Sequence, residues 1–206
     1  MADVQFGFAK NSELIFTLKG RHLCSSINPT REAHQWASVH QESWKDCDAI
    51  IVLGIGCGYH VRALQGISQA QVVAIDPNQE VVAAALRVHP LDLKETEALA
   101  LDSTSKFEKC LPLEQATRKS YAVLVHEPSA ASHPELFTEL KDFLLGRRAE
   151  GLQWLFRNRG LAAPRLSDFE GDTGVSLKTL DALWRRQISG QENLSPLLQA
   201  LRELII

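Results

Sequence analysis

The sequence predicts an α/β domain built on a mainly parallel sheet with flanking helices, a small N-terminal extension and C-terminal helices. Three observations carry this prediction. Two runs, Ala49 to Leu53 and Gln71 to Ile75, are apolar and mostly β-branched without alternation, as strands covered on both faces are. Gly54, Gly56 and Gly58 follow the first run at once, and a helix-length stretch beginning near His60 leads to the second. That second run ends in Asp76, about twenty residues beyond the glycines, where a strand–turn–helix–strand unit places an acid beside its turn. The reading divides the chain into a strand-and-helix segment over 1–48, a core over 49–146, and a linker with helices over 147–206.

Upstream of the core, Leu14 to Gly20 predicts a strand, and Asn28-Pro29 a turn into a helix. Asn28 or Thr30 caps that helix, and Ala33, Trp36, Ala37 and His40 recur at helical spacing through Gln41. Beyond Asp76, Pro77 opens a helix over Gln79 to Val88, with Val81, Val82, Ala85 and Leu86 on its buried side. The signal between Leu91 and Lys119 is weak. Ala98 to Leu101 reads as a third strand ending at Asp102, with Ser103 opening a short helix, and Tyr121 to Val125 is a clear further strand. Pro134 to Leu145 carries Leu136, Phe137, Leu140, Phe143 and Leu144 at helical spacing and is closed by Gly146. Asn158 to Asp172 reads as a linker. Leucines 177, 180 and 183 with Trp184, then leucines 194, 197, 198, 201 and 204 with Ile205, form two apolar stripes, a basis for self-association or a protein partner.

Composition narrows the functions. The 206 residues are 45% apolar and 23% charged, which suits one globular domain rather than a disordered chain. A net charge of −3 gives no general attraction for nucleic acid or an anionic membrane surface. No apolar run approaches the roughly 20 residues needed to span a bilayer. Cys24, Cys47, Cys57 and Cys110 form no CxxC pair and no apolar leader precedes them, so reduced thiols and a cytoplasmic setting are expected. Cys57 reads as a small residue packed in the glycine turn, with a reactive thiol as the alternative. The seven histidines show no metal-ligand spacing, and no metal is expected.

The candidate site follows from the strand ends. Glycines 54, 56 and 58 permit positive φ and close backbone approach, and amides opening the next helix can face an anionic group. Asp76 stands where a carboxylate accepts from ribose hydroxyls; its other reading is a helix cap before proline. Asp102, His126, Glu127 and Ser129 lie just past strand ends, where such sheets bind ligands. His126 and Glu127 have the chemistry of a general base and acid, or else His126 is satisfied by backbone at a strand end. Arginines 147, 148, 157, 159 and 165 are a local basic enrichment, suited either to phosphate or to a solvated helix face.

Two families share the outline from Ala49 to Glu80. VLGIGCG with VVAID resembles class I S-adenosylmethionine-dependent methyltransferases, although Gly54 stands where those enzymes carry an acid and His60 where they carry a third motif glycine. Gly54 to His60, Asp76-Pro77-Asn78 and the upstream Ser26 to Ala33 are more closely similar to the motility accessory factor family. That family is associated with flagellin glycosylation, with a Rossmann-like core related to archaeal 6-hydroxymethylpterin diphosphokinases. The resemblance covers roughly 14–145. It implies a Rossmann-like nucleotide or nucleotide-sugar site, of cytidine or uridine type, built from Gly54 to His60 and Asp76. Tyr59 would stack on the base and His60 bond a phosphate, with Ser26 and Asn28 closing the site. Its catalytic residues stay unassigned. The alternatives are a methyltransferase using S-adenosylmethionine, and a non-catalytic assembly module that keeps the glycine turn as architecture.

Overall fold

A computed structural model of the chain describes residues 4–89 and 98–161. The chain divides into two compact units, 1–141 and 142–206.

The first unit opens with an antiparallel sheet of β1 (Val4–Phe8), β2 (Leu14–Leu18) and β3 (Arg21–His22), in the order β1-β2-β3. The strand expected over 14–20 is β2, cut short because Lys19 and Gly20 take positive φ and turn the chain back as β3. β1 had no counterpart in the sequence reading. It is an edge strand with four of its five residues exposed, held by backbone pairing, so no burial pattern marks it.

α1 (Pro29–Val39) follows, with the Asn28 side chain accepting from the Arg31 amide at 2.9 Å and proline in its first turn. The short α2 (Gln41–Trp44) then leads to the main sheet. That sheet comprises β4 (Ala49–Leu53), β5 (Gln71–Asp76), β6 (Ala98–Ala100) and β7 (Tyr121–Val125), all parallel, in the order β6-β5-β4-β7. α3 (Tyr59–Ile67) joins β4 to β5, and α4 (Gln79–Val88) follows β5. α5 (Thr104–Phe107) and α6 (Leu111–Thr117) precede β7, and α7 (Glu127–Ala130) and α8 (Pro134–Leu144) follow it. The molecule is therefore an α/β, Rossmann-like fold, as the unbroken apolar runs predicted.

Alternation along the central strands serves two cores. Ile50, Val52, Val72, Ala74 and Leu124 join Ala33 and Ala37 of α1, Val61 and Leu64 of α3, and Val81 and Ala85 of α4. Ile51, Leu53, Val73 and Ile75 project to the other face, where α6 packs against β4 and β5. All five β4 side chains are buried, at about 1.5–3 kcal/mol for each large one. The small Ala33 and Ala37 let α1 lie against α3, and this brings Trp36 to the carboxyl edge of the sheet.

In the second unit, Gly146 at φ +64 stops α8, and α9 (Ala149–Asn158) follows. A Cβ at Gly151 would lie 2.2 Å from the Phe143 carbonyl oxygen, so only glycine permits this approach; the Phe143 and Trp154 rings meet at 5.4 Å, tilted by 42°. The basic enrichment falls here. Arg147 pairs with Asp142 at 3.3 Å, and Arg148 and Arg157 are exposed. Arg165, most of the expected linker and both leucine stripes lie outside the described residues.

Candidate functional site

The chain runs from β4 to β5 to β6 and then returns to the other side of β4 as β7, so the strand order reverses between β4 and β7. Open α/β sheets take their ligands in the crevice outside the carboxyl ends of the strands at such a point. Two segments meet there: the glycine turn after β4 and the His126–Ala130 segment after β7.

The glycine turn is a closed hydrogen-bonded knot. The Gly54 amide donates to the Ile75 carbonyl at 2.7 Å, the Gly58 amide to the Ile55 carbonyl at 2.8 Å, and the Ile55 amide to Asp76 Oδ2 at 3.1 Å. Glycines 54, 56 and 58 take φ of +94°, +46° and +85°. What approaches the first two is protein. A Cβ on Gly54 would meet the Ser129 Cβ at 2.5 Å, and one on Gly56 would meet His126 Cε1 at 2.7 Å and the Leu23 carbonyl at 2.9 Å.

Asp76 is 4% exposed and spends both oxygens on main chain: Oδ2 on Ile55, and Oδ1 on the Asn78 amide at 3.0 Å. Burial pushes its carboxyl up to about 6, with the two amide bonds pulling the other way. Asn78 in turn caps α4, accepting from the Glu80 amide at 2.9 Å. The acid thus ties the first strand–helix turn to the second. The capping role that the sequence allowed falls to Asn78.

The crevice itself holds two imidazoles. His60, on the first turn of α3, donates from Nε2 to the Gly54 carbonyl at 2.9 Å, which assigns the proton to that nitrogen. His126 bonds Ser129 Oγ through Nδ1 at 2.9 Å, while its own amide donates to the Leu53 carbonyl at 2.8 Å. The rings stack at 3.9 Å and 8°. Trp36 lies edge-on to both, at 5.1 Å from His60 and 6.2 Å from His126, and also to His40 at 4.7 Å. Burial lowers His60 to about 4 and holds His126 well below its ordinary value, with the neighbouring His60 adding to the second effect. Both rings are neutral at neutral pH.

The remaining expected residues lie around this centre. Tyr59 turns away from the crevice: its hydroxyl donates to the Leu14 carbonyl at 2.8 Å and its ring stands edge-on to His89 at 4.5 Å, so it buttresses the N-terminal sheet where base stacking was anticipated. Burial pushes its hydroxyl up. Glu127 is exposed and accepts from Trp36 Nε1 at 3.4 Å. Asp102 is exposed past β6 and ion-paired with Lys106 at 2.8 Å, which holds its carboxyl low. Asn28 caps α1, the Ser26 carbonyl accepts from the Lys10 amide, and Glu32 accepts from the Ser25 amide at 2.6 Å.

The sequence reading placed Trp36 only on a buried helix stripe, and a lone tryptophan at helical spacing carries no other signal. Leu23 contributes a carbonyl, which no sequence pattern reports. A separate cavity of about 880 Å³ lies at the opposite, amino-terminal edge of the sheet, lined by Trp44, Lys45, Ile67, Ser68, Gln71 and Lys119 among others. Among the described residues no group of three His, Cys, Asp or Glu is placed to hold a metal ion, and no helix is long and apolar enough to cross a membrane. Comparison with protein-family models, with curated proteins and with solved structures finds no match.

Proposed function

We propose that this chain is a non-catalytic module on a Rossmann-like frame, of the kind its motif resembles in motility accessory factor glycosyltransferases, in which the glycine turn serves as architecture. One observation carries the reading: the crevice at the switch point is filled by His126 and Ser129, and the Asp76 oxygens are spent on main-chain amides. The glycines are then required by protein packing, without a phosphate to cradle. Its partner would be another protein or a second copy.

A second reading, a nucleotide or nucleotide-sugar site of cytidine or uridine type, is favoured by the start of α3. Gly58 opens that helix with no side-chain cap, leaving first-turn amides of the kind an anion accepts from. Binding would require the His126–Ala130 segment to move aside and Asp76 to exchange an amide for a ribose hydroxyl. S-adenosylmethionine is the third candidate for the same crevice.

Thermal shift with CTP, UTP, ATP, nucleotide sugars and S-adenosylmethionine separates the readings when run on the parent chain and on Ser129→Gly. A ligand at a hundred times its dissociation constant adds about 2.7 kcal/mol, and each kcal/mol moves the midpoint by roughly 2–4 °C at this size. Silence from both proteins is the expected result. A shift with a cytidine or uridine compound would replace the architectural reading with the nucleotide one, and a shift with S-adenosylmethionine alone would point to methyl transfer.

A further inference from the structure

The antiparallel sheet of the first unit ends on β1, and its pairing decides which main-chain groups of that strand face outward. The Ala9 amide donates to the Glu13 carbonyl at 2.9 Å, and Phe8 then faces Leu14, Gly7 Ile15, Phe6 Phe16, Gln5 Thr17 and Val4 Leu18. Facing pairs in an antiparallel ladder alternate between those that bond each other and those whose amides and carbonyls point away. Gly7 and Gln5 therefore bond β2, while Phe8, Phe6 and Val4 turn their main-chain groups to the open side. Phe16, opposite Phe6, behaves as that alternation requires: its amide donates to the Cys57 sulfur at 3.5 Å and its carbonyl accepts from that thiol at 3.4 Å, both on the side away from β1. β1 is last in the sheet order, and among the described residues nothing bonds its outer side. The usual protections of an edge are missing. Val-Gln-Phe-Gly-Phe has no charge and no proline, and Phe6 and Phe8 are 44% and 73% exposed. The opposite edge, β3, is two residues long and carries Arg21.

We propose that β1 is a self-association surface, pairing antiparallel with β1 of a second copy of this chain about a two-fold axis beside Phe6. Symmetry fixes this register. When Phe6 faces the copy's Phe6, Val4 faces the copy's Phe8, every outward amide and carbonyl of the strand finds a partner, and each facing pair exchanges two main-chain bonds. The exposed rings then fall on one face of the joined sheet, Phe8 against the copy's Val4 and Phe6 against its counterpart. Phe6 already meets the buried Phe16 at 5.8 Å, so the added strand extends an aromatic row that begins in the core. A second copy suits this edge on two grounds. The strand is neutral, so no like charges oppose each other across the axis, and it arrives extended and ordered, without the cost that a flexible peptide bears on binding. This deepens the module reading, on which its purpose rests, by naming the partner. The two fail separately: a nucleotide that shifts the melting point would sink the module and leave the pairing, and a monomer would do the reverse.

Sedimentation of the full chain over a concentration series, beside the same series on three variants, tests this directly. The parent should pass from one chain mass to two as concentration rises. Phe6→Lys and Phe6→Glu should each stay monomeric, because each sets like charges against each other on the axis, and an equimolar mixture of the two should recover the dimer. Phe8→Lys removes a ring that is mostly in solvent, and it should weaken the pairing about a hundredfold, since the loss counts on both copies. On the parent alone, amide exchange at Phe6 should slow about tenfold between dilute and concentrated samples, while exchange at Gly7, already bonded to β2, changes little. A parent that stays monomeric with Phe6 exchange unchanged would overturn the proposal and leave the edge to a strand of another protein. A dimer that survives both Phe6 substitutions would place the contact elsewhere, and a mixture that stays monomeric would overturn the two-fold register.

Discussion

Gly54 is constrained twice over, by its backbone angle and by its neighbours. Its φ of +94° disfavours any side chain, and the Ser129 Cβ occupies the place a methyl group would take. Gly20 separates the two effects: its φ is +75°, yet nothing lies within 4 Å of its Cβ position. Gly20→Ala should therefore cost about 1–2 kcal/mol through backbone strain alone, whereas Gly54→Ala should cost about 2–5 kcal/mol by adding overpacking. Urea denaturation measures both. Adding Ser129→Gly to Gly54→Ala should recover the packing part and leave the strain. Equal losses at positions 54 and 20 would show that Ser129 does not press on the turn.

At the scale of elements, α1 links the N-terminal segment to the crevice, because its cap and its tryptophan lie on one helix. Asn28→Ala removes the acceptor for the Arg31 amide and should cost about 1 kcal/mol, with Asn28→Asp close to the parent. If Asn28→Asp loses as much as Asn28→Ala in urea, the side chain is not acting as a cap. The same scale shows what the sequence could disclose. β4, β5, α4 and β7 were legible to within a residue because unbroken apolar runs such as AIIVL and YAVLV, and apolar residues at helical spacing after Pro77, leave strong marks. α9 had no range in the sequence reading, which took its Arg157 as part of a basic enrichment suited to phosphate or to a solvated helix face; Gly151 within it makes room for the Phe143 carbonyl. For the site, the sequence marked the glycines, Asp76 and His126. It gave no sign that Tyr59 and His60, adjacent in the chain, would serve opposite sides of α3, because that depends on which neighbours the helix acquires.

Across the whole molecule, the buried groups oppose one another in pH. Folding depresses His60 from 6.5 to about 4 and His126 also well below 6.5. Their neutral packing therefore contributes stability that is intact above 6.5 and lost as the pH falls towards 4, since the unfolded chain takes up protons that the folded one refuses. Folding raises Asp76 from 3.8 to about 6, so its contribution runs the other way, present below 3.8 and lost as the pH rises through 6. Two imidazoles outweigh one carboxyl. The urea midpoint should fall between pH 6.5 and 4, and it should fall more steeply in Asp76→Asn, where the opposing group is gone. A flat profile in both proteins would mean that the imidazoles titrate normally.

The bond from the Ile55 amide to Asp76 also constrains the order in which the chain assembles. The amide belongs to the turn after β4, but its acceptor arrives only with the end of β5, on the far side of α3. In a nascent chain that has made β4 and the glycines, the Ile55 amide is left to water. The turn acquires its native acceptor only when β5 docks, after α3 has been made.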